Sequence, residues 1–356
     1  MTVHINLNQK EVYKKFDPSN MAKRISNITE YSYQAWNNPN LKLLDNLNPQ
    51  IDNILMLGMG GSGLSCHLIK DLTSKNKTTV PIQTWNQSIL PQYITKKTLI
   101  IATSYSGNTE ETINLVNQSF AKNAQVIAIS KGGELSQLAK NKKFPWIPIK
   151  FEGEARSAFP FNFLSALRIL EKLKIFKNMN EDITKTIETL NTLVQKLIPS
   201  IPTDSNQAKK IAYELFENIP IIYSSGILTN VGTRWRTQIN ENAKAWAFSD
   251  QLTELHHNSI EGYLNPLRIF TKQTSFKIIL IENPIETESI KNKYQITRDL
   301  LSNKKIPYIT VNSYGDSPIT QIMTSILIGD FTSYYLGILY ETNPAICAEI
   351  DLMKTL

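Results

Sequence analysis

The sequence predicts an α/β fold in two units, each with a central, mainly parallel sheet flanked by helices. Three observations carry this expectation. Short apolar runs of strand length lead into small-residue turns and then into stretches of helical spacing, and that order recurs. The pattern restarts after a proline-bounded segment in mid-chain. The length, 356 residues, also exceeds what a single core usually organises, roughly 100–200 residues.

The elements follow in order. Residues 1–50 are polar and helix-like, with Met21 to Trp36 the best helical stretch. Ile54-Leu55-Met56-Leu57 is a strand-length apolar run that ends in Gly58-Met59-Gly60-Gly61-Ser62-Gly63, and Leu64 to Leu72 continues as helix. The second strand is expected at Pro81 to Thr84. Leu99 to Ala102 is the next, followed by the polar turn Ser104 to Glu111 and a helix over Thr112 to Ala121. Val126 to Ile129 then leads into Ser130-Lys131-Gly132-Gly133. Residues 160–198 are helix-compatible throughout, and Pro199 and Pro202 close them. The stretch Ile198 to Ser205 is the best linker, so the units are expected at 1–198 and 206–356. A second set of strands begins at Ile219 to Tyr223, turns at Ser224-Ser225-Gly226 and enters a helix near Val231. Phe276 to Ile281 and Tyr308 to Val311 are further strands, and the chain closes in helices over Ile319 to Leu339 and Ala345 to Lys354. Two halves that each open with a strand and a small-residue turn suggest an internal duplication.

Bulk properties exclude several classes. With 41% hydrophobic and 19% charged residues the chain reads as an ordinary globular protein rather than a disordered one. The N-terminus lacks a basic stretch followed by an apolar one, so no signal peptide is expected. The longest apolar run, Ile319 to Tyr340, is broken by Gly329 and Asp330 and reads as a buried helix, not a membrane span. A cytoplasmic location is the resulting expectation. The net charge of +7 comes from scattered lysines with no basic-aromatic stripe, which speaks against nucleic acid and suits an anionic small molecule. Cys66 and Cys347 stand alone, so neither a disulfide framework nor a zinc site is expected.

Two loops carry chemistry. Ser104, Ser106 and Thr109 place three hydroxyls within six residues at the start of a helix, and Gly107 permits a tight turn. Such a cluster can bind phosphate through hydroxyls, backbone N–H groups and the helix dipole. It can equally be a helix cap, since Glu110 and Glu111 follow. The loop contains no Lys or Arg, unlike a Walker-type nucleotide site. In the first loop, Gly58, Gly60 and Gly63 satisfy the spacing of a dinucleotide fingerprint. The acidic residue that should follow the second strand is missing, however, because Trp85-Asn86 stand there. No cofactor is expected.

Gly-Met-Gly-Gly-Ser-Gly after one strand and Ser-Tyr-Ser-Gly-Asn-Thr-Glu-Glu-Thr after a later one resemble the sugar isomerase (SIS) fold. Within it, the chain is similar to the bifunctional phosphoglucose/phosphomannose isomerases. Asn240-Glu241-Asn242-Ala243-Lys244, Glu254-Leu255-His256-His257-Asn258 and the closing helix from Asn343-Pro344 to Lys354 extend the resemblance in the right order. It implies a homodimer of two SIS-type subdomains that interconverts glucose 6-phosphate and fructose 6-phosphate, and also mannose 6-phosphate, without a metal.

The resemblance also implies roles for residues. Glu241, beside the apolar run Ala245 to Phe248, is the candidate base for a cis-enediolate route. Of the four histidines, His257 is the candidate ring-opening group, reaching the site from the neighbouring subunit. Arg156 would stabilise the enediolate, and Lys354 would be a second ring-opening group. Gly60, Gly61 and Ser62 would help hold substrate, with Ser104, Ser106 and Thr109 on the phosphate. Arg234 and Arg236 read as structural or interface residues, though either could touch phosphate, and His67 as a surface or packing residue. Thr253, Leu255 and Ala345 depart from the family pattern, and Cys347 stands near where a small polar group for mannose 6-phosphate is expected. The rival reading is a sugar-phosphate-sensing regulator, for which residues 1–50 offer no convincing helix-turn-helix. An amino-sugar enzyme would bring a glutamine-hydrolysing domain with an N-terminal cysteine.

Overall fold

The computed structural model describes residues 5–46, 50–75, 78, 80–264 and 275–353. The chain packs as two compact units, one of residues 28–187 and one that combines the segment up to Asn27 with residues 188 onward.

The leading segment carries α1 (Lys10–Phe16) and α2 (Met21–Ser26), and the unit 28–187 opens with α3 (Ile28–Trp36). The single helical stretch expected over Met21 to Trp36 is thus two helices that part at Asn27. Next come β1 (Asn53–Leu57), α4 (Gly60–Thr73), β2 (Ile82–Trp85), β3 (Thr98–Thr103), α5 (Glu110–Ala121), β4 (Gln125–Ser130), α6 (Gly133–Lys142), β5 (Trp146–Pro148) and α7 (Phe159–Lys172). The strands form a wholly parallel sheet in the order β2-β1-β3-β4-β5. Residues 98–103 are buried along the whole of β3, as expected for a parallel strand covered by helices on both faces.

The continuous helix expected over 160–198 is broken. α7 stops at Lys172, Lys174 adopts the left-handed conformation (φ 59°), and α8 (Asn180–Leu197) starts afresh. The intervening Ile175, Phe176 and Met179 are buried, so the turn is held by its own apolar side chains despite a helix-compatible composition.

The second unit continues with α9 (Gln207–Leu215), β6 (Asn218–Ser224), α10 (Thr229–Ala243), β7 (Phe248–Gln251), α11 (Leu252–Leu255), β8 (Ser275–Glu282), α12 (Glu288–Asn303), β9 (Tyr308–Asn312), α13 (Pro318–Leu339) and α14 (Ala348–Met353). Its sheet is again parallel, in the order β7-β6-β8-β9. α13 is long and apolar enough to cross a membrane by length and composition, but its apolar window lies buried inside the unit. It is a core helix, with Ser317 capping its N-terminus.

The leading segment belongs with this unit rather than with residues 28–187, which differs from the halves drawn at the 198–205 linker. Two buried polar anchors explain it. Asp17 accepts the Met21 and Ala22 N–H groups at 2.7 and 3.0 Å and the Tyr334 hydroxyl of α13 at 3.0 Å. Lys209, fully buried on α9, donates to the carbonyls of Leu7, Pro199 and Ile201 at 2.7–2.8 Å and lies over the rings of Tyr13 and Tyr335. Burial pushes its ammonium pKa down to about 8.

Candidate active site

In the unit 28–187 the first glycine loop, the hydroxyl turn and Arg156 come together. β1 ends at Leu57, and α4 begins at Gly60, which has a positive φ of 52°. Gly58 and Gly63 touch, since a Cβ on Gly63 would lie 2.5 Å from the Gly58 carbonyl oxygen. A Cβ on Gly61 would lie 3.9 Å from the Cα of Arg156, which places the 3₁₀ turn Ala155–Ala158 against this loop. Arg156 is itself buried, at 7% exposure. Ser62 is buried and accepts the Tyr105 N–H at 3.2 Å, joining the first loop to the second.

The second loop is not a simple helix cap. Thr109 occupies the N-cap position of α5 but makes no side-chain capping bond. Its hydroxyl pairs instead with Ser104 at 2.8 Å. Ser104 is buried and also accepts the Gly107 N–H at 3.1 Å, so it braces the turn. Ser106 is exposed and accepts the Asn108 N–H at 3.2 Å. The first turn of α5 therefore has no side-chain cap from Thr109, and a helix N-terminus in that state attracts anions.

Sequence reading missed how this loop is supported. Gly107 (φ 74°) packs on the turn after β4 so closely that a Cβ would fall 1.9 Å from the Gly132 carbonyl oxygen. Leu135 donates to the Gly107 carbonyl, and Glu134 to the Asn108 side chain, both at 2.9 Å. The Tyr105 hydroxyl lies 3.2 Å from the carbonyls of Phe151 and Gly153, and burial raises its pKa. The glycine pair Gly132-Gly133 was the available signal, but it reads only as a turn.

In the other unit, α10 carries Glu241. Its buried face runs through Val231, Arg234, Trp235, Gln238, Ile239 and Asn242, a helical stripe laid on α13. Arg234 pairs with Asp330 through Nε at 3.1 Å and Nη2 at 2.7 Å. Trp235 donates to the Ser325 carbonyl at 2.9 Å and fills the space above Gly329, where a Cβ would strike its ring. Asn242 donates to Ser333 at 2.9 Å. These contacts fix the rotation of α10 and leave Glu241 half-buried at the stripe's edge. Arg234 is therefore a structural residue, as its sequence context suggested.

The helix ends one turn later. Lys244 turns left-handed and donates to the carbonyls of Glu241 and Asn343 at 2.6 and 3.1 Å. The Cys347 thiol lies 3.6 Å from the Glu241 carbonyl oxygen and 3.9 Å from its carboxylate Oε2. The apolar neighbourhood expected from Ala245 to Phe248 is largely solvent-facing, with Trp246 75% exposed. Beside it opens a cavity of about 670 Å³ lined by residues such as Asn240, Lys244, Trp246, Phe248 and Glu349.

The two adjacent histidines differ. Leu255 is fully buried and anchors α11, which turns His256 inward to pair with Thr297 at 2.8 Å. Burial lowers the His256 pKa, helped by Lys293 and His257. His257 is exposed, and its N–H donates to the Glu254 carbonyl at 2.9 Å in the turn. His67 pairs with Thr84 at 3.1 Å, a packing role. Lys354 lies outside the described residues.

Two parallel sheets, each with a small-residue turn after its first strand, define a protein of the SIS type, and a SIS-domain model matches residues 49–144. A second model, the bacterial phospho-glucose isomerase C-terminal SIS domain, matches residues 204–356. The chain belongs to the family of bifunctional phosphoglucose/phosphomannose isomerases: it is 32% identical to the member from Caldicellulosiruptor bescii, over 85% of this chain and 89% of that one. The Thermoplasma acidophilum member is 29% identical, over 85% and 88%. A D-glucosamine-6-phosphate 4-epimerase from Sulfolobus acidocaldarius is also 29% identical, over 60% and 64%. Among solved structures, a hypothetical protein from Thermus thermophilus aligns with TM-score 0.73 at 15% identity, covering 97% of this chain and 92% of its own. A glucose-6-phosphate isomerase-like protein from the same organism aligns at 0.63 and 16%, covering 99% of each. At these identities both support the fold alone.

Proposed function

We propose that the protein is a metal-independent, cytoplasmic aldose–ketose isomerase acting on glucose 6-phosphate and fructose 6-phosphate, and on mannose 6-phosphate. The observation that carries this reading is the hydroxyl turn at Ser104–Thr109, which leaves the first turn of α5 without a side-chain cap from Thr109. Ser106, Thr109 and the α5 amides bind the phosphate, while Ser104 holds the turn in shape. Gly60, Gly61 and Ser62 take the sugar, the glycines allowing close backbone approach.

Glu241 then removes the proton from C2 of the open-chain aldose and returns it to C1, forming and collapsing a cis-enediolate. Arg156 stabilises the charge on the enediolate oxygens as it develops. His257 opens the ring by moving a proton from the C1 hydroxyl to the ring oxygen, with Lys354 as its partner. Its exposure suits action in the neighbouring subunit of a homodimer, while His256 is already committed to Thr297. Cys347, beside Glu241, is the polar group that assists rotation about C2–C3 for the mannose substrate.

One assay tests the activity. Purified protein treated with EDTA is given fructose 6-phosphate, and glucose 6-phosphate and mannose 6-phosphate are measured separately. Both should form. Binding of fructose 6-phosphate without turnover would instead favour a sensing protein. The shared site is tested by mixing Glu241→Gln with His257→Ala. Each homodimer should be inactive, and hybrids should regain part of the activity; no recovery in verified hybrids would place His257 in its own subunit's site.

A further inference from the structure

Side chains close the end of α10. Lys244 leaves the helix in the left-handed conformation, φ 56°, so the last carbonyls of α10 lose their helical partners. The Glu241 carbonyl takes two side-chain donors instead, the Lys244 ammonium at 2.6 Å and the Cys347 thiol at 3.6 Å. The same ammonium donates to the Asn343 carbonyl at 3.1 Å. One cation thus ties the backbone of Glu241 to the segment between α13 and α14.

The left-handed turn does not require this bond. Lys143, Lys174 and Lys305 also turn left-handed just past helix ends, and none of their ammonium groups makes a hydrogen bond among the described residues. Nor does burial force Lys244 into place, since its side chain is exposed. The segment it reaches is firmly held. Pro344 is buried, and the Asn343 side chain accepts the Ala345 N–H at 3.0 Å, which fixes the turn that presents the Asn343 carbonyl. Beside it, a Cβ on Gly337 of α13 would lie 2.4 Å from the Asn242 carbonyl oxygen, so the end of α10 rests directly on α13.

We propose that Lys244 is a positioning residue that holds the backbone of Glu241 where the isomerisation needs it; this role rests on Glu241 being the base. Glu241 lies in the last turn of α10, and helix ends fray. A base that must reach C2 and then C1 of the same sugar tolerates little of that motion, because a misplacement of about 1 Å can cost roughly a hundredfold in rate. The ammonium removes the freedom by bonding the Glu241 carbonyl to a fixed point outside the helix. Lys244 acts through Glu241 and moves no proton itself.

The test compares Lys244→Gly and Lys244→Met in the full-length protein, with fructose 6-phosphate as substrate. Glycine is the residue best suited to a left-handed helix end, so Lys244→Gly keeps the turn and removes the ammonium. It should match wild type in denaturant melts. Both variants should lose about ten- to a hundredfold in kcat, with the Kd for fructose 6-phosphate within about twofold of wild type. A near-normal kcat in Lys244→Gly overturns the inference, as does a loss confined to Kd or one that a smaller folded fraction accounts for. Glu241→Gln is measured beside them. Near-normal turnover there removes Glu241 as the base and this role with it, whereas an inactive Glu241→Gln beside an unimpaired Lys244→Gly overturns the role of Lys244 alone.

Discussion

The loops Ser104–Thr109 and Asn283–Thr287 follow corresponding strands of two parallel sheets and precede helices of similar length, yet their interiors are chemically opposite. One is lined by hydroxyls, with Ser104 bonded to Thr109 and Ser106 accepting the Asn108 N–H. The other is closed by the Glu286 carboxylate against Gly226. The same topology therefore places two loops of different chemistry before corresponding helices. The difference also divides labour. In the proposed function the unit 28–187 supplies the phosphate anchor, and the second unit supplies the base Glu241 on α10.

The largest expected effect tests that division. Glu241→Gln should lower kcat by about 10³-fold, within the range set by removing a general base, with the Kd for fructose 6-phosphate little changed. The readouts are turnover, exchange of the C2 proton with solvent and equilibrium binding. Near-normal turnover would remove Glu241 from the chemistry.

Next comes a matched pair of glycine substitutions. Gly107→Ala places a Cβ against backbone, the Gly132 carbonyl, whereas Gly226→Ala meets the end of a movable carboxylate. Both residues have positive φ, which costs an L-residue roughly 1–2 kcal/mol. Gly107→Ala should cost about 2–3 kcal/mol more than Gly226→Ala, because backbone must shift. Denaturant melts of the two variants measure it, and equal losses would break the comparison.

The anchor itself is tested by Ser106→Ala/Thr109→Val. Losing hydrogen bonds to a charged phosphate, at roughly 1.5–3 kcal/mol each, should raise KM for sugar phosphates at least tenfold and leave kcat nearly unchanged. Asn283→Ala in the opposing loop should not move KM. The smallest effect is expected at Cys347→Ala, where the ratio of mannose to glucose activity should fall a few-fold while the glucose activity persists; an unchanged ratio would assign the mannose substrate to another group.

Much of the fold was legible because its central strands are buried on both faces. Ile54–Leu57, Leu99–Ala102 and Val126–Ile129 are apolar without alternation, which composition reveals directly. The short edge strands β5 and β7 were not legible. Trp146–Pro148 has only three residues, and Phe248–Gln251 is half-exposed and polar, so neither carries a period. The break between α7 and α8 was invisible for a related reason, since the apolar turn at Ile175–Met179 looks like helix until its packing is known.

The sequence by itself determined the two α/β repeats, the glycine and hydroxyl loops and the residues eligible for chemistry, because these depend on local periodicity and on turn residues. Tertiary structure alone decided which partner each eligible residue found. It turned Thr109 from a cap into a partner of Ser104, His256 inward and His257 outward, and it set Cys347 beside Glu241, 106 positions earlier in the chain. It also joined the leading segment to α9 and α13 through Lys209 and Asp17. The contacts of His256, Cys347, Lys209 and Asp17 each join a polar group to a partner across a long stretch of chain, and a contact of that kind leaves no period in the sequence that makes it.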